Sequence, residues 1–356
     1  MPRTPPRLFR QAAKHSPHAA TLLLACKSLP LALNELRWIR EHVILTAKPA
    51  QREQRLLALC RQRGRGIPLQ YVLKSQPFGP LEIKCRPGVL IPRPETEAYT
   101  YHLAGMAKRL AHSRGLQELK VLDFCAGTGC IPLLLFSLLQ HSFSTLQVQG
   151  VDVSTEAVHL AQENLVANAS LGHLNIAPGQ KQVKITQGDI FSDSEMKSVF
   201  SQSWDILTSN PPYISLDVWH SGRGQLGHSV RKFEPALALV PGAHLEPPPG
   251  WQSSDVFYAR LLDIAYRIKP KLLLLEIGDE PQALRVARNY LTHPLASVST
   301  IEIWRDTPDV QSSSYCQEIG VVSHQGQNHP IPIKGSGNAR SIMIKSVGAP
   351  QPSEER

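Results

Sequence analysis

Apolar residues recur at helical spacing in the first part of the chain. The spacing runs through LALNELRWIREHVIL and EQRLLALCRQR, between residues 29 and 63, and Gly64 and Gly66 end it. The next stretch, IPLQYVLKSQPFGPLEIKCRPGVLIPRPETE, consists of short β-prone pieces separated by Pro-Phe-Gly-Pro and Arg-Pro-Gly. We therefore expect a helical domain over residues 29–75 and a β-hairpin connector over residues 76–97.

Strand-like and helical patterns then alternate over residues 98–347. Six strand candidates cover residues 120–124, 147–151, 183–187, 204–209, 271–277 and 299–305. This alternation predicts an α/β fold with an open, mostly parallel, doubly wound sheet. Ligands of such sheets bind at the carboxyl ends of the strands, so the loops that follow the strands are the candidate site.

Two stretches show neither the helical nor the strand periodicity. Residues 239–255 form a loop rich in Pro, Gly and Ser, and residues 307–337 are long and irregular. The sequence NARSIMIKSV after the second stretch is typical of a strand, so we expect a closing hairpin with an expanded turn. Residues 348–356 are expected to form a disordered tail.

The positive charge of the chain is concentrated near its start. The net charge is +9, and residues 1–75 contain fourteen Lys and Arg residues but three acidic ones. A basic accessory domain favours an anionic partner, with possible proximity to RNA or the ribosome; the alternative is a solvated helix face. No acidic residue precedes Glu35, and residues 1–28 are rich in Arg, Ala, Ser and Leu. We interpret residues 1–28 as a mitochondrial transit peptide, and the alternative is a basic tail in a cytoplasmic protein.

Cysteine usage and apolar run length exclude some classes of protein. The six cysteines form no Cys-x-x-Cys pair, so we expect neither a disulfide framework nor a metal site. The longest apolar run, at residues 131–139, is too short to span a bilayer, and we expect no membrane span.

The first predicted strand leads into a glycine-containing turn, VLDFCAGTGCI. Asp123 ends the strand, and the turn comprises Cys125, Ala126, Gly127, Thr128 and Gly129. Glycines allow close approach of the backbone to a ligand, and the following helix offers free N–H groups. The Gly-x-Gly-x-x-Gly motif of dinucleotide sites and the Lys of a phosphate-binding loop are both missing.

Acidic residues also follow the next two strands. Asp152 is placed to accept hydrogen bonds from the hydroxyls of a ribose. Asp189 is placed to accept from an adenine amino group, with Ile190 packed on the ring. Each acid alone is more often a helix cap. Together they predict a nucleoside site without a phosphate cradle, and therefore a cofactor that is uncharged or cationic where a dinucleotide carries its pyrophosphate.

The fourth strand ends in ILTSNPPYIS. Asn210 precedes Pro211 and Pro212, whose rings fix the backbone, and Tyr213 follows. The Asn210 side-chain oxygen and the Pro211 carbonyl are two acceptors that could hold one –NH₂ group, and Tyr213 offers a flat wall. A purely structural diproline turn is the alternative interpretation.

These motifs together resemble a known family. Asp-x-x-x-Gly-x-Gly, a following ribose acid and Asn-Pro-Pro-Tyr are similar to the signature of S-adenosylmethionine-dependent amino-methyltransferases. The tetrad is shared by N6-adenine methyltransferases and by glutamine methyltransferases of the HemK/PrmC type, which modify peptide-chain release factors. Four further stretches resemble the second group: PLQYVL, VLIPRPETE, SVRKFEPALALVPG and LLLEIGDEPQ. The resemblance covers residues 30–305.

The resemblance implies a class I methyltransferase fold with a seven-stranded sheet and N5-methylation of the glutamine in a Gly-Gly-Gln motif. It implies S-adenosyl-L-methionine as the cofactor and a release factor, mitochondrial if residues 1–28 are a transit peptide, as the substrate. The implied catalytic residues are Asn210, Pro211 and Tyr213. The implied cofactor residues are Asp123, residues 125–129, Asp152, Asp189, Ile190 and Asn210; the implied substrate residues are Arg93, Glu95, residues 210–213 and Glu234.

Two alternatives remain open. An N6-adenine methyltransferase acting on DNA or RNA would explain the basic domain and the shared tetrad. An inactive scaffold would explain two departures from the family pattern. Cys125 and Ala126 stand where the family commonly has Gly-Thr, and the closing hairpin is split between WRD, ending at Asp306, and GNAR, ending at Arg340.

Overall fold

The computed structural model describes residues 5–221, 226–309, 318–324 and 327–347. The α-helices are α1 (Pro6–His15), α2 (Pro17–Cys26), α3 (Leu29–Thr46), α4 (Arg52–Gly64), α5 (Leu69–Leu73), α6 (Pro94–Arg114), α7 (Cys130–Leu139), α8 (Thr155–Ser170), α9 (Lys197–Phe200), α10 (Leu216–Ser221), α11 (His228–Phe233), α12 (Val256–Ile268) and α13 (Glu280–Thr292). The strands are β1 (Ser75–Phe78), β2 (Leu81–Lys84), β3 (Glu118–Phe124), β4 (Thr145–Asp152), β5 (Lys181–Gln187), β6 (Ile206–Ser209), β7 (Leu272–Glu276), β8 (Ser299–Thr307), β9 (Glu318–His324), β10 (Gln327–Lys334) and β11 (Ser336–Ser346).

The N-terminal helices α1 to α5 form a unit with its own apolar core. Leu22 and Leu23 of α2 are fully buried in this core, together with Ile39 of α3 and Leu59 of α4. The unit therefore begins at Pro6, ahead of the predicted boundary at residue 29. Prolines explain the difference, because Pro6 and Pro17 occupy first-turn positions where a helix tolerates proline.

The helix α8 holds the connector hairpin against the α/β domain. In β2, the backbone N–H of Glu82 donates to Asn168 Oδ1 at 3.0 Å, and that of Lys84 donates to Asn164 Oδ1 at 2.8 Å. Asn164 Nδ2 also donates to the carbonyl of Thr128 at 3.0 Å. The connector is thereby tied to the turn after β3. The next helix, α6, begins at Pro94, within the predicted connector, because proline favours the first helical turn.

The large sheet has nine strands in the order β5-β4-β3-β6-β7-β11-β8-β10-β9. The strands from β5 to β7 are parallel, and β11 runs antiparallel between β7 and β8. All six predicted strands are present, and the doubly wound α/β class is confirmed. The expected number of seven strands is wrong for this chain, because β9 and β10 extend one edge of the sheet.

The split hairpin closes despite the inserted segment. Strands β8 and β11 pair from Ser336 opposite Thr307 to Ser346 opposite Ser299. Asp306 Oδ1 accepts from Arg340 Nε at 2.9 Å, and Asp306 Oδ2 accepts from the backbone N–H of Asn338 at 2.8 Å. The two halves of the motif therefore meet across the hairpin. The predicted tail, residues 348–356, lies outside the described residues.

No single helix in the described part of the chain is long and apolar enough to cross a membrane. Helices α2 and α3 pass that test only as a pair bent by 117°. Among the described residues, no group of three or more His, Cys, Asp or Glu side chains could hold a metal ion.

Candidate active site

The turn after β3 is built on left-handed backbone. Cys125, Gly127 and Gly129 have φ values of 59°, 56° and 78°. A Cβ atom at Gly129 would lie 3.0 Å from the Cβ of Ala161 in α8, so both conformation and space favour glycine there. This tight turn brings the start of α7 against the ends of the neighbouring strands.

Asp152 at the end of β4 is hydrogen-bonded to the same turn. Its Oδ2 accepts from the backbone N–H of Gly127 at 2.8 Å, and its Oδ1 accepts from that of Ser154 at 2.9 Å. Burial raises the pKa of the Asp152 carboxyl, and these N–H groups counteract the shift. The carboxylate is held in a fixed orientation and keeps lone pairs for a ligand.

Most of the predicted cofactor residues line one cavity, here called the first-turn cavity. Its lining includes residues 125–128, Asp152, Asp189, Ile190 and Asn210. Asp189 Oδ1 accepts from the backbone N–H of Phe191 at 2.9 Å, which fixes the turn after β5. Arg93 is the only Lys or Arg among the described lining residues, and its guanidinium is paired with Glu234. No unpaired Lys or Arg of the described lining faces Asp152 and Asp189, so these carboxylates give the cavity a negative character.

Two predicted cofactor residues lie behind this cavity instead of on its wall. Asp123 is fully buried, and its Oδ1 accepts from Thr208 Oγ1 of β6 at 2.6 Å. Burial raises the pKa of Asp123 to about 8, and its Oδ2 has no hydrogen-bond partner among the described residues. Neither Asp123 nor Gly129 is among the described residues that line the cavity. Asp123 joins β3 to β6, and Gly129 allows α8 to approach.

Asn210 also lines a second cavity. This Tyr213 cavity is lined by Asn210, Tyr213, Glu276, Gln282 and Arg340, among others. Arg93 and Asn210 line both cavities. Among the described residues, the side chain of Asn210 has no hydrogen-bond partner. Its amide is therefore available at the boundary between the two cavities.

The backbone at the diproline corner is held on both sides. Pro211 and Pro212 are buried, and the N–H of Ile214 donates to the carbonyl of Leu239 at 2.8 Å. Gln282 Nε2 donates to the carbonyl of Tyr213 at 3.2 Å, while its Oε1 accepts from the N–H of Gly278 at 2.8 Å. The proline rings and these contacts leave the corner little freedom to move.

Arg93, which lines both cavities, forms an ion pair with Glu234. Arg93 Nη2 donates to Glu234 Oε1 at 2.7 Å, and the backbone N–H of Ile91 donates to Oε2 at 3.1 Å. Glu234 is buried and is not among the described residues that line either cavity, and it contacts the lining residues Arg93 and Ile91. Glu95, in the first turn of α6, also lines neither cavity among the described residues.

A family model described as "Methyltransferase small domain" matches residues 106–220. The chain is 37% identical over 240 residues to "Mitochondrial MRF1 N(5)-glutamine methyltransferase MTQ1" of Saccharomyces cerevisiae, covering 67% of this chain and 68% of that protein. It is 34% identical to "Probable MRF1 mitochondrial N(5)-glutamine methyltransferase mtq1" of Schizosaccharomyces pombe, covering 66% and 72%. The chain belongs to the release factor N(5)-glutamine methyltransferase family.

A bacterial relative and two solved structures are also similar to the chain. The release factor glutamine methyltransferase of Thermodesulfovibrio yellowstonii is 28% identical, covering 78% of this chain and 84% of that protein. A putative class I S-adenosylmethionine-dependent methyltransferase of Listeria monocytogenes is 13% identical, with a TM-score of 0.39 and coverage of 98% and 90%. The catalytic domain of hMettl16 is 16% identical, with a TM-score of 0.43 and coverage of 81% of each chain.

The first-turn cavity of this N(5)-glutamine methyltransferase fits S-adenosylmethionine. Asp152 offers acceptors for ribose hydroxyls, and Ile190 is an apolar contact at the next strand end. The single lining Arg is already paired, so the cavity offers no free guanidinium or ammonium to a pyrophosphate among the described residues. The negative character of the lining instead favours a ligand with a positive charge.

Glu276 of the Tyr213 cavity, and its partners Thr96 and Tyr99, were not predicted from the sequence. Glu276 ends β7 beside Asn210 and accepts from Thr96 Oγ1 at 2.6 Å and Tyr99 OH at 2.8 Å. An acid at a strand end, in LLLEIGDEPQ, was the available signal for Glu276. Thr96 and Tyr99 carried no signal of their own, because their role depends on how α6 packs against β7.

Proposed function

We propose that this chain transfers the methyl group of S-adenosylmethionine to the side-chain amide nitrogen of the glutamine in a release factor Gly-Gly-Gln motif. The position of Asn210 is the main observation in support of this proposal. Its unpaired amide lies where the first-turn cavity and the Tyr213 cavity meet. A cofactor in one cavity and a glutamine in the other would bring the methyl group and the amide nitrogen together beside this residue.

The diproline corner supplies what a primary amide needs in order to react. An amide nitrogen is a poor nucleophile, because its lone pair is delocalised into the carbonyl group. Bound S-adenosylmethionine supplies a methyl group on a positively charged sulfur. Asn210 Oδ1 and the Pro211 carbonyl accept the two N–H hydrogens of the glutamine, which increases electron density on nitrogen and orients it toward that methyl group.

These two acceptors act most strongly in the transition state. Positive charge grows on the nitrogen as the new bond forms, so oxygen acceptors bind the transition state more tightly than the ground state. No general base is required, because the methylated cation is strongly acidic and loses its proton readily. Tyr213 forms one wall of the cavity and limits the positions that the planar amide can take.

The substrate and compartment are proposed from the relatives and the N-terminal segment. The yeast relatives are named as mitochondrial MRF1 methyltransferases, and residues 1–34 of this chain contain no acidic side chain. We assign the chain to the mitochondrial matrix, and we assign a mitochondrial release factor to it as the substrate. The basic helical domain over residues 29–75 would contact an acidic surface of that protein, close to the ribosome where release factors act.

Mass spectrometry of the release factor tests the proposal. The Gly-Gly-Gln peptide should gain one methyl group on glutamine only when the chain and S-adenosylmethionine are both present. Methyl transfer to DNA or RNA, with none to the release factor, would favour the adenine methyltransferase alternative. Failure to bind S-adenosylmethionine in calorimetry would favour an inactive scaffold.

A further inference from the structure

A buried carboxylate lies beside the diproline corner. Strands β6 and β7 are parallel, with Ser209 opposite Leu275, so the next residues, Asn210 and Glu276, are neighbours. Glu276 is 2% exposed, yet it contributes to the wall of the Tyr213 cavity. Burial of a carboxylate costs free energy of folding unless its oxygens are hydrogen-bonded.

Hydroxyl groups satisfy this carboxylate. Glu276 Oε2 accepts from Thr96 Oγ1 at 2.6 Å and from Tyr99 OH at 2.8 Å, both on α6. Glu276 Oε1 accepts from Tyr213 OH at 3.3 Å, and Tyr258 OH donates to the main-chain carbonyl of Glu276 at 2.8 Å. Oε2 is thus fixed by the protein core, whereas Oε1 faces the residue that walls the cavity.

Arg340, whose positive charge acts on this carboxylate, does not pair with it directly. Arg340 lines the same cavity, but its Nε donates to Asp306 at 2.9 Å. The hydroxyl donors stabilise the charge without cancelling it. An ionised Glu276 therefore projects a negative potential into the cavity beside Asn210, where the proposed reaction generates positive charge.

We propose that ionised Glu276 is a positioning residue for methyl transfer, which holds the Tyr213 ring in place and favours the positive charge that develops on the substrate nitrogen. This inference rests on the proposed function. It adds a charge requirement that the neutral acceptors of Asn210 and Pro211 do not have. A merely structural role would require only a hydrogen-bond acceptor at this place.

The charge requirement predicts the direction of a pH effect. Burial raises the pKa of Glu276, and the hydroxyl donors with Arg340 counteract part of the shift. The ionised form is the active one, so kcat should fall as the pH drops through this pKa. The groups that face the carboxylate from the packed elements are Thr96, Tyr99, Cys130, Tyr213, Tyr258 and Arg340.

The variant Glu276→Gln separates charge from shape. We expect it to lower kcat about a hundredfold, with a much smaller change in KM for the Gly-Gly-Gln peptide. The fall of kcat at low pH, here called the acidic limb of the pH profile, should disappear in this variant. Thermal stability at neutral pH should equal or exceed that of the wild type, because an acid whose pKa is raised by folding destabilises the folded state once the pH exceeds its unfolded pKa.

The variant Tyr99→Phe is the matched test, because Tyr99 bonds the same carboxylate from outside both cavities. Loss of this donor should move the acidic limb to higher pH by about one unit. This result does not depend on whether Glu276→Gln folds.

Wild-type kcat in Glu276→Gln, or an acidic limb that neither variant moves, would overturn the inference. If the wild-type chain methylates no Gly-Gly-Gln peptide, the proposed function fails separately. In that case the pH dependence of thermal stability still tests whether folding shifts the pKa of the Glu276 carboxyl. A profile that Glu276→Gln leaves unchanged would show that folding does not shift the pKa of the Glu276 carboxyl, contrary to its burial.

Discussion

Backbone strain is concentrated at one residue of the first turn. Cys125 has a φ of 59°, a conformation in which a side chain crowds the backbone and which glycine adopts without cost. This explains why a glycine is common at this position in the family that the sequence resembles. The strain lies on the wall of the first-turn cavity, where the turn must pass between β3 and α7.

Replacing Cys125 with Gly should therefore stabilise the chain. We expect the free energy of unfolding to exceed that of the matched Cys125→Ala variant by about 1 kcal/mol, because alanine keeps the strain. Urea unfolding of the two variants measures the difference. Equal stability of the two would show that Cys125 is not strained in the folded chain.

The residues of the corner could be predicted because their chemistry is local. Pro211 and Pro212 stiffen the backbone wherever they occur, and Asn210 ends a recognisable apolar run. The contacts of Glu276 could not be predicted in this way. Its partners Thr96 and Tyr99 are 180 and 177 residues away along the chain, and only the packing of α6 on β7 brings them together.

Among the secondary-structure elements, the closing hairpin shows how an insertion is accommodated. The pairing of β8 with β11 is intact on both sides of the inserted strands, and Asp306 joins their ends. Apolar runs made β8 predictable. The strand β10 was not predicted, because its prolines at 330 and 332 disrupt the usual pattern and it is supported by its neighbours in the sheet.

Replacing Asp306 with Ala should destabilise this hairpin. It removes acceptors for Arg340 Nε and the Asn338 N–H, and Arg340 is only 18% exposed. We expect a loss of about 1–3 kcal/mol in the free energy of unfolding, measured by urea denaturation.

The matched control for this prediction is Asp309→Ala. Asp309 pairs with His102 but is 69% exposed, so its loss should cost less than about 1 kcal/mol. A loss at Asp306 as small as that at Asp309 would contradict the proposed link between the hairpin ends.

For the molecule as a whole, the N-terminal segment combines the sequence features of a cleaved transit peptide with a place in the folded helical core. The sequence indicates a transit peptide over residues 1–28, yet α1 and α2 occupy residues 6–26 and bury Leu22 and Leu23 in the helical core. Composition alone reveals the charge of this segment but not its tertiary contacts. Cleavage after residue 28 would remove two helices from the folded unit.

We expect a chain that begins at Leu29 to lose the fold of its helical domain. Each buried leucine removed costs about 2–5 kcal/mol, which is a large part of the stability of so small a core. Limited trypsin digestion at the Arg residues of α3 and α4 measures this loss. A chain that begins at Pro5 is the control and should resist trypsin like the full chain. Equal resistance of all three chains would contradict this prediction.

The activity of the variant Asn210→Ala tests the role of the diproline corner. We predict that methyl transfer to the Gly-Gly-Gln peptide, followed by mass spectrometry, falls by at least about a hundredfold, while S-adenosylmethionine binding in calorimetry changes little. The amide of Asn210 would then be needed for the reaction and dispensable for the cofactor. Undiminished transfer by this variant would contradict the central claim that the diproline corner activates the glutamine.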